Sequence, residues 1–425
     1  MKILNSKFYL VIILSLIFFQ CEDTQNTTVA SQDNCGLETT FIHVVDSVKW
    51  PRGGDVVLGD NCGYVGVGRL SSRPWIIKFD EGGEEVWSKI FEEIPIPTGN
   101  YSDGYQHASA VDNTNDGGYI ISTTVSVNHP SYNSTGYIIK VDSLGQTEWF
   151  NKLPSNRAHH GLDIIQTNEG DYIVVGNWYT TSAVTNEKSA FIARYSELGD
   201  LIWIERYGGE CDEDVFYSVI QKEDGGFIAV GKFEHESSDY NCDFYGYTDL
   251  WFVNFDSDGQ MLAENKIGDS YWESAVDVID LGNGAYGVAG RKRHTKNKPV
   301  NAWFLKMDAS GNILSEWDEP DYVNNSGRGD QLSNLVLSED GSTIIALGAR
   351  FDLPTDYMLL NLWAFDILTG QELWNINHGQ ETAGENFATG IVNAYDGGLT
   401  FFGYTDNHRL RIIKTDNFGM TALEQ

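Results

Sequence analysis

Six polar residues recur in register along the chain: Gln106, His159, Asp214, Glu273, Asp330 and Asn386. Each stands five places before an apolar residue (Val111, Ile164, Val219, Val278, Leu335, Ile391) at the head of an apolar run of strand length. Three carboxylates with Asn and Gln oxygens would suit a hard cation such as calcium, or a polyhydroxylated ligand. Side chains alternate along a strand, so residues two and four places on are expected to share the face of the first. The nearer set, Ala108, Gly161, Phe216, Ala275, Leu332 and Ala388, is mostly small. The farther set, Ala110, Asp163, Ser218, Asp277, Asn334 and Gly390, is polar or small. If these runs crowd around an axis, the first six ring the mouth of a channel that Asp163, Ser218, Asp277 and Asn334 line. The plainer alternative is that the six cap the turns entering each run.

Other catalytic sets are sparse. The sequence has no Gly-x-Ser-x-Gly elbow, no His-Glu-x-x-His pair and no phosphate loop leading into a helix. His159 and His160 are adjacent, so on a strand they point to opposite faces and cannot share a metal ion. Carboxylate pairs for glycoside chemistry stay open, with Asp214 and Asp330 the first to test, because their separation is invisible in sequence.

The runs belong to a repeat. Around residue 224 the chain reads Asp224-Gly225-Gly226-Phe227-Ile228-Ala229-Val230-Gly231, then a polar loop, then Leu250-Trp251-Phe252-Val253-Asn254-Phe255-Asp256 and a second glycine turn at Gly259. That is strand, turn, strand, loop, strand, turn, strand. The first corner recurs at Tyr64, Tyr119, Tyr172, Phe227, Tyr286, Thr343 and Leu399, a spacing of roughly 53 to 59 residues. The second recurs at Gly83, Gly145, Gly199, Gly259, Gly311, Gly370 and Gly419. Two landmarks in register seven times, without helical period, predict an all-β, seven-bladed propeller with four antiparallel strands per blade.

An open propeller would leave two edge strands exposed. Thr40 to Val45 occupies the place of an outermost strand whose own blade is missing, so this N-terminal strand is expected to complete blade seven and close the ring. The segments 177–189, 232–248, 291–301 and 349–361 read as long loops between second and third strands. They carry Trp178, Tyr179, Tyr240, Phe244 and Tyr245 and one basic patch of Arg291, Lys292, Arg293, Lys296 and Lys298. Aromatic-rich loops can stack on sugars or form a protein interface.

Composition narrows the partners. Lys and Arg total 28 against 61 Asp and Glu, a formal charge of -33. Such a surface repels phosphate backbones and argues against nucleic acid. Residues 1–20 have a positive start at Lys2 and Lys7 and an apolar core from Phe8 to Phe19, followed by Cys21. Residues 21–38 are polar and without apolar period, which reads as a tether. Residues 39–425 hold the repeats. Cys35, Cys62, Cys211 and Cys242 form an even set suited to an oxidising compartment. Sequence proximity favours Cys35 with Cys62 and Cys211 with Cys242, among three possible pairings.

Residues 1–21 resemble a bacterial lipoprotein signal peptide, with Phe18 and Gln20 in place of the usual leucine and small residue before the cysteine. The resemblance implies acylation at Cys21 and an outer-membrane lipoprotein, on the cell surface or the periplasmic face. Glu22 and Asp23 look like the export signals of surface lipoproteins in Bacteroidetes-type bacteria. Ala364-Phe365-Asp366-Ile367-Leu368-Thr369-Gly370-Gln371-Glu372-Leu373-Trp374 resembles the tryptophan-docking motif of quinoprotein-like propellers, with looser copies ending at Trp87, Trp149 and Trp203. The repeats as a whole resemble the Asp-Gly-Gly-Tyr propeller lipoproteins of Bacteroidetes. Quinoprotein propellers include pyrroloquinoline-quinone (PQQ) dehydrogenases, which carry a Cys-Cys disulfide against the quinone and are usually eight-bladed. This chain has no Cys-Cys dipeptide and seven units, which argues against PQQ. The expectation is a non-catalytic cell-envelope lipoprotein, a binding or scaffold propeller for a protein or glycan partner. The alternatives are an extracellular carbohydrate-active enzyme with carboxylates at the channel mouth, and an outer-membrane assembly factor.

Overall fold

Inner strands begin every sheet of this structure: Arg52–Leu58, Gln106–Asn113, His159–Gln166, Val215–Gln221, Trp272–Gly282, Gln331–Leu337 and Asn386–Asn393. The computed structural model describes residues 35, 40–45, 52–70, 73–95, 106–127, 133–154, 159–181, 186–208, 214–234, 248–269, 271–295, 298–319, 329–352, 357–378, 386–405 and 409–421. All described regular elements are strands. Each inner strand starts a four-stranded antiparallel sheet, and blades 4 and 5 share one parallel bridge between Thr248 and Trp272. Each inner strand touches the next, and Asn386–Asn393 touches Arg52–Leu58. The seven sheets therefore form a closed ring.

Blade 4 shows why the repeat folds this way. Val215–Gln221 turns at Asp224-Gly225-Gly226 into Phe227–Glu234, and Gly225 holds the positive φ of +82° that the corner demands. The Asp224 carboxylate accepts the Gly226 N–H at 3.0 Å. Thr248–Phe255 is buried on both faces, which is why Leu250-Trp251-Phe252-Val253 is an unbroken apolar run. Met261–Ile267, the outer strand, alternates instead with solvent. The core lies between blades: Ile173, Val175 and Ile192 of blade 3 pack on Phe216, Val219, Phe227 and Trp251 of blade 4.

The tryptophans of the second corner dock each blade on the next. A Cβ placed on Gly145 would lie 2.6 Å from the Trp87 ring, on Gly199 2.9 Å from Trp149, on Gly259 2.6 Å from Trp203 and on Gly419 3.0 Å from Trp374. Only a residue without a side chain lets the rings approach so closely. In blades 4 and 5 the smaller Asn265 and Ser315 take this place, against Gly311 and Gly370.

Closure follows the sequence expectation. Phe41–Val45 pairs antiparallel with Leu410–Thr415, from Phe41 opposite Lys414 to Val45 opposite Leu410, and forms the fourth strand of blade 7. Phe41 then docks on Gly83 of blade 1, in the role the tryptophans play elsewhere. Cys35 and Cys62 form a disulfide that ties the chain ahead of this strand to the first corner of blade 1. Cys21, Cys211 and Cys242 lie outside the described residues, as do residues 1–20 and the aromatic positions Tyr240, Phe244 and Tyr245.

Two segments read as loops, 177–189 and 349–361, are mostly strand, and a third, 291–301, is strand at its ends, Arg291–Arg293 and Asn301. Tyr172–Thr181 pairs with Asn186–Tyr195 out to Thr181 opposite Asn186, and Thr343–Asp352 pairs with Tyr357–Asp366 along its whole length. Ala285–Arg293 carries the basic patch on a strand end, with Lys292 opposite Asn301. The sequence Trp178-Tyr179-Thr180-Thr181 consists of strong strand formers, so a polar run of this kind extends a ladder instead of leaving it.

Candidate functional site

All seven inner strands carry a β-bulge at one register, between Gly53 and Asp55, Ala108 and Ala110, Gly161 and Asp163, Phe216 and Ser218, Ala275 and Asp277, Leu332 and Asn334, and Ala388 and Gly390. A bulge sets two residues against one and reverses the alternation beyond it. The two sets read as sharing a face therefore lie on opposite faces. Ala108 packs with Val65 and Ile76 of blade 1, whereas Ala110 packs with Ile164 and Val174 of blade 3.

The six residues assigned to the channel mouth are placed accordingly. The side chains of Gln106 and His159 lie outside the described part of the structure. Asp214, Glu273, Asp330 and Asn386 are fully buried at the heads of their blades. Asp214 accepts the Glu234 N–H at 2.9 Å and Asp330 accepts the Phe351 N–H at 2.8 Å, each at the far end of its own second strand. Asp330 also faces Arg350 at 3.6 Å, and Arg350 reaches Glu319 at 3.5 Å. Glu273 accepts the Asp269 N–H at 3.4 Å, and the Asn386 amide reaches the Met358 carbonyl at 3.4 Å. Burial pushes Glu273 and Asp330 up to about 7. All four are enclosed by protein: Glu273 bonds the turn that enters its strand, as a cap would, whereas Asp214 and Asp330 bond their own second strands and Asn386 the neighbouring blade.

The channel-lining set has a different arrangement. Asp163 accepts the N–H of Ile164 in its own strand and that of Val219 in the next blade, both at 2.8 Å. Asp277 repeats this with Val278 at 2.9 Å and Leu335 of blade 6 at 2.7 Å, and also accepts the Ser218 hydroxyl of blade 4 at 2.8 Å. Asn334 holds the same register and is partly buried.

Two residues that the register search passed over belong with them. Asp55 accepts the N–H of Val56 and of Val111 in blade 2. Blade 2 has Ala110 in that register and sets Asp112 two places on, where it accepts the N–H of Asn113 and of Gln166 in blade 3. Side chains thus link blade 1 to blade 6 in succession around the axis. Asn393 bonds the Leu337 carbonyl at 2.6 Å to join blade 7 to blade 6, and Tyr395 bonds the Gly59 carbonyl at 2.7 Å to join it to blade 1.

The electrostatics follow from that enclosure. Burial pushes Asp112 up to about 6 and Asp277 up to about 7, and holds Asp55 and Asp163 above the ordinary carboxylate range, against the pull of the N–H groups they accept. The charge of Asp163 raises Asp55, Asp112 and Asp277 further. Carboxylates of four blades therefore share one confined space.

Among the described residues, no three or more His, Cys, Asp or Glu side chains are grouped to hold a metal ion. A depression of about 440 Å³ lies between blades 6 and 7 on the turn side, lined in part by Ser338, Asp340, Trp374, Asp396, Lys414 and Phe418. Two of its acids are engaged internally: Asp340 with Ser338 and Ser342, and Asp396 with Lys414.

No protein-family model matches the chain, and no curated protein matches it. Among solved structures it is similar to the β-propeller domain of the Trilobed protease from Pyrococcus furiosus, at 12% identity over 87% of this chain and 96% of that one, with a TM-score of 0.47. It is similar to Chaetomium thermophilum Sqt1 bound to the N-terminus of a ribosomal protein, at 9% identity over 88% and 98%, with a TM-score of 0.44. It is also similar to the quinohemoprotein alcohol dehydrogenase of Comamonas testosteroni, at 12% identity over 84% and 67%, with a TM-score of 0.43.

Proposed function

We propose that this chain is a non-catalytic binding or scaffold propeller of the cell envelope, held by a lipid on Cys21, and that it meets a protein or glycan partner at the face where its inner strands begin. One observation carries the reading. Repeated polar residues such as Asp163, Asp277, Asp214 and Asp330 spend hydrogen bonds on joining strands or blades, while the strand ends that join the non-repeating segments all lie at one face. The connections between second and third strands range from the two residues 71–72 to the thirteen of 235–247, whereas the opposite face holds short glycine corners. Variable connections presented by a rigid scaffold are where binding residues concentrate. A hydrolytic reading would need Asp214 and Asp330 open to substrate, and both are fully buried.

The test is capture of partners from native envelopes, and of glycans from an array, by the full chain and two variants. Tyr357→Ala with Arg293→Glu alters the loop face; Glu197→Lys alters a turn on the other. The loop-face pair is expected to weaken retention of the captured partner at least tenfold, about 1.4 kcal/mol, and the turn variant to leave it unchanged. The opposite pattern, or turnover of a glycan by the purified chain, would overturn the proposal.

A further inference from the structure

The face opposite the loops is unusually apolar at its tips. The second corner of each blade is a turn on an Asp or Ser, a place where Gly, Asn, Asp and Ser are favoured. Blades 2, 3 and 6 instead put Leu144, Leu198 and Leu368 there, 66%, 77% and 80% exposed, and blade 7 puts Phe418, 66% exposed. Blades 4 and 5 keep Asp258 and Ser310. Blade 1 itself has Gly82 between the exposed Glu81 and Glu84, so the apolar tips of blades 2, 3, 6 and 7 stand to either side of blade 1 and its junction with blade 7, with the polar tips of blades 4 and 5 across the ring.

That junction is where the N-terminal segment leaves. Phe41 sits on Gly83, a turn-face glycine, and the Cys35–Cys62 disulfide holds the preceding chain at the first corner of blade 1 on the same face. We infer that the turn face rests on a lipid surface, with Leu144, Leu198, Leu368 and Phe418 as contacts, and that the loop face is thereby turned outward. The inference rests on acylation of Cys21, part of the function proposed above. About 14 residues separate Cys21 from Cys35, a length whose coil dimension is about 20 Å. Third strands of eight to ten residues stand about 30 Å tall, so a tether of that length favours its own face over the far one. Of the first-corner acids, Asp116, Asp224 and Asp396 are paired with Lys140, Lys222 and Lys414.

The experiment uses the full chain anchored in vesicles of phosphatidylcholine and phosphatidylethanolamine, compared with its soluble Cys21→Ser form. Side chains are labelled by a water-borne radical and read residue by residue. Labelling of Leu144, Leu198, Leu368 and Phe418 is expected to fall at least threefold on anchoring, while Tyr357 on the loop face is labelled equally in both. Unchanged labelling of the four tips in an acylated chain, or protection of Tyr357, would overturn the orientation and leave the anchor standing. Incorporation of a fatty-acid analogue at Cys21 is measured separately; its absence would remove the anchor and the orientation together.

Discussion

A chain that begins at Asp46 is expected to lose most of its stability relative to one that begins at Thr40, both carrying Cys62→Ser so that the disulfide plays no part. The shorter chain lacks the strand Phe41–Val45, which supplies the fourth strand of blade 7 and its dock on blade 1. Val45 is buried, and Phe41 and Ile42 pack against the clusters at that junction. At about 1.5–3 kcal/mol for a fully buried apolar side chain, three partly or fully buried ones amount to about 5 kcal/mol. That is comparable to the whole stability of an ordinary domain, about 5–15 kcal/mol. The truncation also bares Leu410–Thr415 as an edge, so association of the shorter chain is expected as well. Thermal melts followed by sedimentation check this. A midpoint within a few degrees of the longer chain, with no association, would show that the ring does not depend on its closing strand.

The second large effect belongs to Asp277→Asn, and it should depend on pH. Asp277 offers two oxygens to three donors, Val278 N–H, Ser218 hydroxyl and Leu335 N–H. An asparagine has one acceptor oxygen, which leaves at least one enclosed donor unmet, at a cost of about 1–3 kcal/mol. The folded carboxyl titrates at about 7, above its ordinary value of 3.8. A raised carboxyl contributes stability that is fully present below the unfolded value and is lost as pH rises through the folded one. The native chain therefore gives up stability between about pH 4 and 7 that asparagine, which does not titrate, cannot lose. The penalty of the substitution is therefore expected to be larger at pH 5 than at pH 8. Denaturant melts at the two pH values measure it, and a penalty that grows with pH would mean that Asp277 is stabilising as a charge.

The sequence made the architecture legible because a propeller repeats its corners. Gly225 and Gly259 mark turns that only glycine serves well, and the resemblance of the stretch ending at Trp374, with looser copies at Trp87, Trp149 and Trp203, to a tryptophan-docking motif implied the docking between blades. The misplaced strand at residues 40–45 was readable for the same reason, since a register shared by seven units exposes a piece out of sequence. What the pattern concealed was the bulge. Ser109, Leu162, Tyr217 and Val276 look like ordinary strand residues, and nothing in their types signals the extra residue that sends Asp163 and Asp277 to the other face. Extending the register back to blade 1 would have found Asp55, directly before Val56 as Asp163 stands before Ile164. Asp112 left no such signal, because it stands two places off. Burial of Asp214, Glu273, Asp330 and Asn386 was equally hidden, since a polar residue reads as exposed until the strands and turns that enclose it are seen.

Amide hydrogen exchange at Val111, Gln166, Val219 and Leu335 tests the central claim, that the near-axis carboxylates tie each blade to the next instead of receiving a ligand. These four N–H groups lie on inner strands and are met by Asp55, Asp112, Asp163 and Asp277. In the isolated, metal-free chain they are expected to exchange as slowly as ladder amides of the buried strand Thr248–Phe255, reporting global opening. Exchange near the rate of an unprotected amide at these positions would contradict the account and leave the carboxylates free for another task.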